Sequence, residues 1–295
     1  MSVCWLDGKL VNEDEAKISV FDHGLLYGDG VFEGVRFYNH KAFRLQKHLQ
    51  RLYNSALAIG LEIPYSKNEF EVAIADVIHN FKDAEGYLRL VVTRGKGSLG
   101  INPALCKKAT AFIIADQLSF VSENVQRYGA KLIIASTRRL SPDGLDPRIK
   151  SLNYLNHILA RMEANHAHAD EAILLNAQGY VTEGSTDNIF IVSNKKILTP
   201  PVTDGALEGI TRELVFEIAA EQGFCCQEKT LSPYDLYTAD ECFLTGTAIE
   251  LVPVSEIDGR QLPSCPGALF KELHMLFNSK IMAATTPVTH SRAVL

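Results

Sequence analysis

The sequence predicts a mixed α+β fold in two domains, and three observations carry that reading. Hairpin signals and helical stripes share the first third of the chain, a polar stretch without period interrupts them near residue 120, and strands with two further helical stripes follow. The 295 residues are about twice the usual length of one domain. With 46% hydrophobic and 22% charged residues, the composition is that of a globular protein with a sizeable core.

Taken in order, Trp5-Leu6, Asp7-Gly8 and Leu10-Val11 form a hairpin signal. A second hairpin reads from Val31 to Tyr38, turns at Asn39-His40 and returns over Ala42 to Leu45. From Gln46 the apolar positions move to a helical stripe, Leu49, Leu52, Ala56 and Ile59, stopped by Gly60. Asn68 to Phe81 repeats the stripe with Phe70, Ile74, Val77 and Ile78, and strands return at Tyr87 to Thr93 and Ala109 to Ala115. Residues 1–116 therefore read as a small N-terminal α/β domain and 117–129 as a linker.

The larger C-terminal domain is expected over residues 130–282. It opens with a strand at Lys131 and a Pro/Gly loop from Ser141 to Pro147, then a helix from about Ser151 to His166. Strands are expected at Glu171 to Asn176, Tyr180 to Thr182, Asn188 to Val192 and Ile197-Leu198. A helix over Ile210 to Gln222 places Ile210, Leu214, Ile218 and Ala219 on one face and stops at Gly223. Residues 283–295 are Thr- and Ala-rich and read as a loose tail. There is no internal repeat.

Charge and composition exclude several functions. A balance of 29 Lys+Arg against 35 Asp+Glu, a formal charge of −6, offers no footprint for a nucleic acid. No run approaches the roughly 20 apolar residues of a membrane span, and the start lacks a basic region followed by an apolar run, so a cytoplasmic protein is expected. The six cysteines are scattered without a C-x-x-C and read as reduced and structural. No metal is expected: His166-Ala-His168 lacks the i, i+4 spacing of a helical metal pair, and Glu13-Asp14-Glu15 is a solvated face.

Four features of the second half carry the candidate chemistry: Lys150 before a helix, Glu183 after a strand, Gly209-Ile-Thr-Arg at a helix start, and Thr245-Gly-Thr-Ala248 after a strand. Singly, each has a plain structural reading, as a solvated lysine, a turn carboxylate or a turn glycine. Together they supply what holds a phosphorylated, electron-withdrawing ring. A glycine at a helix start lets the amides of Ile210 and Thr211 approach a phosphate that the helix dipole favours. Thr247 adds a hydroxyl, Gly246 an amide, and Arg51 a planar fork of donors.

The residues resemble those of the fold type IV, pyridoxal-phosphate-dependent aminotransferases, whose D-amino acid aminotransferase-like fold has two domains, and most of all the branched-chain amino acid group. The resemblance runs from about Trp5 to Phe277 and rests on seven segments in order: YGDGVFEGVRFY from Tyr27, HLQRL from His48, Tyr87-Leu-Arg89, KSLNY from Lys150, GYVTEGSTDN from Gly179, LEGITR from Leu207 and TGTAIELVP from Thr245. It implies that Lys150 is the Schiff-base lysine and the base that moves the substrate α-proton. It implies that Glu183 partners the pyridine nitrogen, that Tyr154 bonds the ring hydroxyl from the same helical face as Lys150, and that Leu207 packs on the ring. Arg51, Gly209, Ile210, Thr211, Gly246 and Thr247 are then the phosphate end.

The resemblance also implies an amino-acid and 2-oxo-acid substrate pair, a homodimer or higher homo-oligomer, and reversible transfer from Leu, Ile or Val to 2-oxoglutarate. Tyr27, Phe32 and Tyr87 are expected as an aromatic wall for the aliphatic side chain, Arg36 or Arg89 as the partner of the glutamate distal carboxylate, and Thr247 and Ala248 at the α-carboxylate. D-amino acid transfer and aminodeoxychorismate lysis stay open, because KSLNY and the Arg94-Gly-Lys-Gly segment also occur in shapes typical of those relatives. A cofactor-binding protein without catalysis is disfavoured by the intact Lys150, Glu183 and Tyr154.

Overall fold

A computed structural model describes residues 2–117 and 121–285. Its first half contains β1 (Val3–Leu6), β2 (Lys9–Val11), α1 (His23–Tyr27), β3 (Gly30–Tyr38), β4 (Lys41–Ala42), α2 (Leu45–Ala58), α3 (Lys67–Asn80), β5 (Gly86–Thr93) and β6 (Thr110–Asp116). The strands form one antiparallel sheet in the order β2-β1-β6-β5-β3-β4. Both expected hairpins are present, with Asp7-Gly8 and Asn39-His40 turning at positive φ, as two-residue hairpin loops require.

Strand β3 is buried on both faces, and its period of two decides what each face does. Val31, Val35 and Phe37 join Leu49, Leu52, Phe70 and Ile74 in the core under α2 and α3. The alternate positions Phe32, Gly34, Arg36 and Tyr38 face the second half of the chain.

That second half contains α4 (Glu123–Tyr128), β7 (Ala130–Arg138), α5 (Leu155–His166), β8 (Glu171–Leu175), β9 (Val181–Gly184), β10 (Asn188–Ser193), β11 (Lys196–Thr199), α6 (Ile210–Gln222), β12 (Cys226–Glu228), α7 (Pro233–Tyr237), β13 (Glu241–Gly246), β14 (Glu250–Ile257), β15 (Arg260–Gln261) and α8 (Ala268–Thr285). Its mixed sheet runs β12-β11-β10-β13-β14-β7-β8-β9, with β15 on β14. Helices α6 and α8 cover one face, and their core takes in Tyr38 and Phe43 from the first half.

Four departures from the sequence reading have physical causes. Within the expected linker, Ser122 caps the short helix α4 with its hydroxyl, a local signal the polar stretch conceals; residues 118–120 lie outside the described residues. Helix α5 begins at Leu155 instead of Ser151, because the preceding backbone is paired with β3: Phe32 N–H donates to Lys150 O at 3.0 Å and Leu152 N–H to Gly30 O at 3.0 Å. Helix α8 runs to Thr285, three residues into the expected tail, with the buried Thr285 hydroxyl donating to Ile281 O; residues 286–295 lie outside the described residues. Helices α1, α7 and α8 have no counterpart in the sequence reading, although Asp22 caps α1 and Ser232 and Asp235 form a capping box at α7.

Candidate functional site

A cleft between the two sheets collects most of the predicted residues. Lys150 enters it from the segment stitched to β3, with its own N–H donating to Ser55 Oγ at 3.1 Å. Its Nζ lies 3.3 Å from Tyr154 Oη and 4.7 Å from the centre of the Phe32 ring. The proximity of Lys150 and Tyr154 is not that of neighbours on one helical face, because Lys150 precedes the helix and Tyr154 is its N-cap. Tyr154 is clamped edge-on by Phe32 at 5.0 Å and stacked on His157 at 4.5 Å. His157 Nδ1 donates to Ser185 O at 2.7 Å, and burial, aided by the Arg139 charge, pulls its pKa down to about 4.

Glu183 sits on β9 with only 3% of its surface exposed. It accepts from Arg139 Nε at 3.0 Å and from Leu207 N–H at 2.8 Å. Burial pushes its carboxyl above the usual range, against the pull of the Arg139 guanidinium and the Leu207 amide. Arg139 follows a strand with no spacing signal, so only the fold reveals it as the partner.

At the other end of the cleft, Gly209 caps α6 without a side chain, which leaves the first-turn amides of Ile210 and Thr211 uncapped against the cleft. The glycine is dictated by space: a Cβ there would lie 2.0 Å from Asn188 Oδ1, whose amide nitrogen donates to Leu207 O at 3.0 Å. Arg51 reaches the same corner from α2 and donates to Glu208 O at 2.7 Å. The buried Thr245 hydroxyl has no hydrogen-bond partner and lines the same cleft, beside Gly246, Thr247 and Ala248. An amine, a buried carboxylate, an uncapped helix start and an unpartnered hydroxyl on one cleft fit a phosphorylated pyridine ring.

The substrate residues divide. Phe32, Tyr87 and Arg89 line the cleft, with the Arg89 guanidinium 4.5 Å over the Phe32 ring and 5.5 Å over the Tyr87 ring. Gly34 makes room for them, since a Cβ there would fall 1.9 Å from the Tyr87 hydroxyl oxygen. Arg36 does not line the cleft: it stands behind the 246–249 turn, donating to Ala248 O at 3.2 Å and pairing with Glu250 at 3.2 Å. Tyr38 donates to the same Glu250 carboxylate at 2.6 Å, and Glu250 holds a φ of +60°. Tyr27 also departs from expectation: its hydroxyl accepts from Gly100 N–H at 3.0 Å and its ring meets His23 edge-on, away from the cleft of its own chain. Among the described residues, no group of three or more His, Cys, Asp or Glu is placed to hold a metal ion.

Comparison with known proteins agrees with this arrangement. The family model described as amino-transferase class IV matches residues 30–257. A Methanocaldococcus jannaschii protein, provisionally named branched-chain-amino-acid aminotransferase, is 51% identical over 259 residues, covering 87% of this chain and 88% of its own. A Bacillus licheniformis D-alanine aminotransferase is 35% identical over 286 residues, covering 95% of this chain and 97% of its own. The solved structure of the T.th. branched-chain amino acid aminotransferase, complexed with N-(5'-phosphopyridoxyl)-L-glutamate, superposes with a TM-score of 0.90 at 37% identity, over 96% of this chain and 94% of that one.

Proposed function

The chain belongs to the class IV aminotransferases, and on that premise we propose that it moves the amino group of L-leucine, L-isoleucine or L-valine reversibly to 2-oxoglutarate, with pyridoxal 5'-phosphate as cofactor. The observation that carries the reading is the placing of Lys150 Nζ, the Glu183 carboxylate and the uncapped start of α6 on one cleft, beside an aromatic wall and Arg89. When bound, the cofactor supplies an electron sink for the charge left as the substrate loses its α-proton.

The residues divide the remaining work. Lys150 would hold the cofactor through its amine, and the same amine is the base positioned to move the substrate α-proton. Tyr154 Oη, 3.3 Å from that amine, orients it and would hydrogen-bond the ring hydroxyl. Glu183 would hold the proton on the ring nitrogen, and Leu207 would pack on the ring. Arg51, Gly209, Ile210, Thr211 and Thr247 grip the phosphate. Gly246 and Ala248 present backbone to the substrate α-carboxylate, Phe32 and Tyr87 exclude water around the aliphatic side chain, and Arg89 takes the distal carboxylate of glutamate.

Exposed apolar side chains at Leu25, Leu26, Leu99 and Ile101, and on α5 at Leu155, Ile158 and Met162, support a homodimer or higher homo-oligomer. No described helix is long and apolar enough to cross a membrane, and a cytoplasmic location is part of this proposal.

The visible absorbance of the purified protein tests the reading. L-leucine is expected to bleach the cofactor band and 2-oxoglutarate to restore it, and Lys150→Ala to abolish both responses in a folded protein. The likeness to the D-alanine aminotransferase favours a second reading, D-amino acid transfer, which a response to D-alanine alone would select. Pyruvate release from aminodeoxychorismate without any keto-acid acceptor would select a lyase.

A further inference from the structure

Glu33 has no role among the groups assigned above, yet it is fully buried beside the cleft. It lies on the α2 side of β3, opposite in facing to Phe32 and Gly34. Its oxygens accept from Arg51 Nε at 2.6 Å and Arg51 Nη2 at 3.0 Å, from His48 Nδ1 at 2.8 Å and from the Gly34 N–H at 3.3 Å. Burial would push its carboxyl up, but the Arg51 charge and the two side-chain donors reverse that and hold it ionised, far below the usual carboxylate range. Burial lowers the His48 pKa from its ordinary value, against the pull of the Glu33 carboxylate.

Arg51 is therefore matched charge for charge where it stands. Two of its five N–H groups go to Glu33 and a third to Glu208 O, which leaves two uncommitted beside the first turn of α6. A two-point fork fixes the guanidinium plane as no single contact does.

We infer that Glu33 is the positioning residue for the phosphate end of the cleft: it clamps Arg51 in one orientation against the start of α6 and cancels its charge, so that the anion is gripped by directed N–H groups rather than by net positive charge. The inference rests on the reading of Arg51, Ile210 and Thr211 as phosphate ligands. A corner without net charge does not concentrate free anions from solution. It favours a phosphate delivered on a ring that Lys150 already holds.

The experiment is equilibrium binding of pyridoxal 5'-phosphate, and separately of unphosphorylated pyridoxal, to the full-length chain freed of cofactor, read by absorbance after dialysis. Glu33→Gln is expected to weaken binding of the phosphorylated ligand about ten- to hundredfold, and of pyridoxal less than about threefold, the scale seen when a ligand-orienting partner is lost. Glu33→Asp keeps the buried charge but withdraws it by one methylene, so it covers the case in which the Gln variant does not fold; it should show the same phosphate-selective loss in smaller measure. Arg51→Gln should lose at least as much as Glu33→Gln. The inference is overturned if Arg51→Gln shows that loss while the folded Glu33 variants bind both ligands as the parent does, or weaken both equally. If Arg51→Gln leaves the ratio of the two affinities unchanged, the phosphate reading of the corner fails and takes the inference with it.

Discussion

Arg89 carries its charge over two aromatic rings on the cleft wall, an arrangement that offers an apolar surface to leucine and a cation to glutamate in one place. Arg89→Leu should remove charge-assisted hydrogen bonds of about 1.5–3 kcal/mol, lowering kcat/KM for glutamate roughly ten- to hundredfold and that for leucine by less than about threefold. Equal losses in single-turnover measurements of the two half-reactions would refute the assignment. His157 yields a pH prediction. Its pKa of about 4 in the folded chain lies below the ordinary 6.5, so between those values the unfolded chain binds a proton that the folded one does not. Stability from this group is complete above 6.5 and is lost as pH falls toward 4, on the order of 3 kcal/mol across the window. The nearby Glu183 and Asp187 carboxyls, pushed up by burial, act with the opposite sign. The comparison is therefore parent against His157→Asn, which keeps a donor for Ser185 O; the variant's denaturation midpoint should fall less steeply with acid. Lys150, Glu183 and Arg51 were legible because their neighbours in sequence carry the pattern. Arg139, Glu33 and His157 were not, since each acts through a partner distant in sequence.

Among elements, α6 is legible from Ile210 to Gln222, the bounds it has, because glycines mark both ends. Its tight fit to Asn188 is invisible in sequence, because Asn188 begins β10 and the whole hairpin of β10 and β11 separates it from Gly209. Gly209→Ala should force Asn188 off Leu207 and cost about 1–3 kcal/mol by overpacking, seen as a lower melting temperature of the cofactor-free protein. An unchanged melting temperature would show that Asn188 yields freely. The start of α5 is misplaced for a related reason: apolar periodicity continues through Ser151 to Tyr154, but pairing with β3 takes those backbone groups first.

At the scale of the molecule, side chains of the first sheet brace the second. Arg36 and Tyr38 hold Glu250 at the far end of the 246–249 turn, and Arg44, the N-cap of α2, pairs with Glu217 on α6 at 2.6 Å. Glu250→Gln should loosen the turn proposed for the α-carboxylate, raising KM severalfold for amino acid and oxo acid alike with a smaller change in kcat, a pattern steady-state kinetics would separate from a loss confined to kcat. Such pairs between parts of the chain far apart in sequence leave no trace in periodicity, and Arg36 reads as a substrate residue by resemblance alone.

The pairing of residues 150–152 with β3 bears on how such chains recombine. The obvious seam for exchanging halves between two relatives lies between β6 and β7. A crossover there would join the lysine-bearing segment of one parent to the β3 of another, across a backbone interface that had never been matched. A seam that moves residues 149–154 together with the first half would keep the amine on its native mount, and chimeras built the two ways should differ in cofactor retention even where both fold.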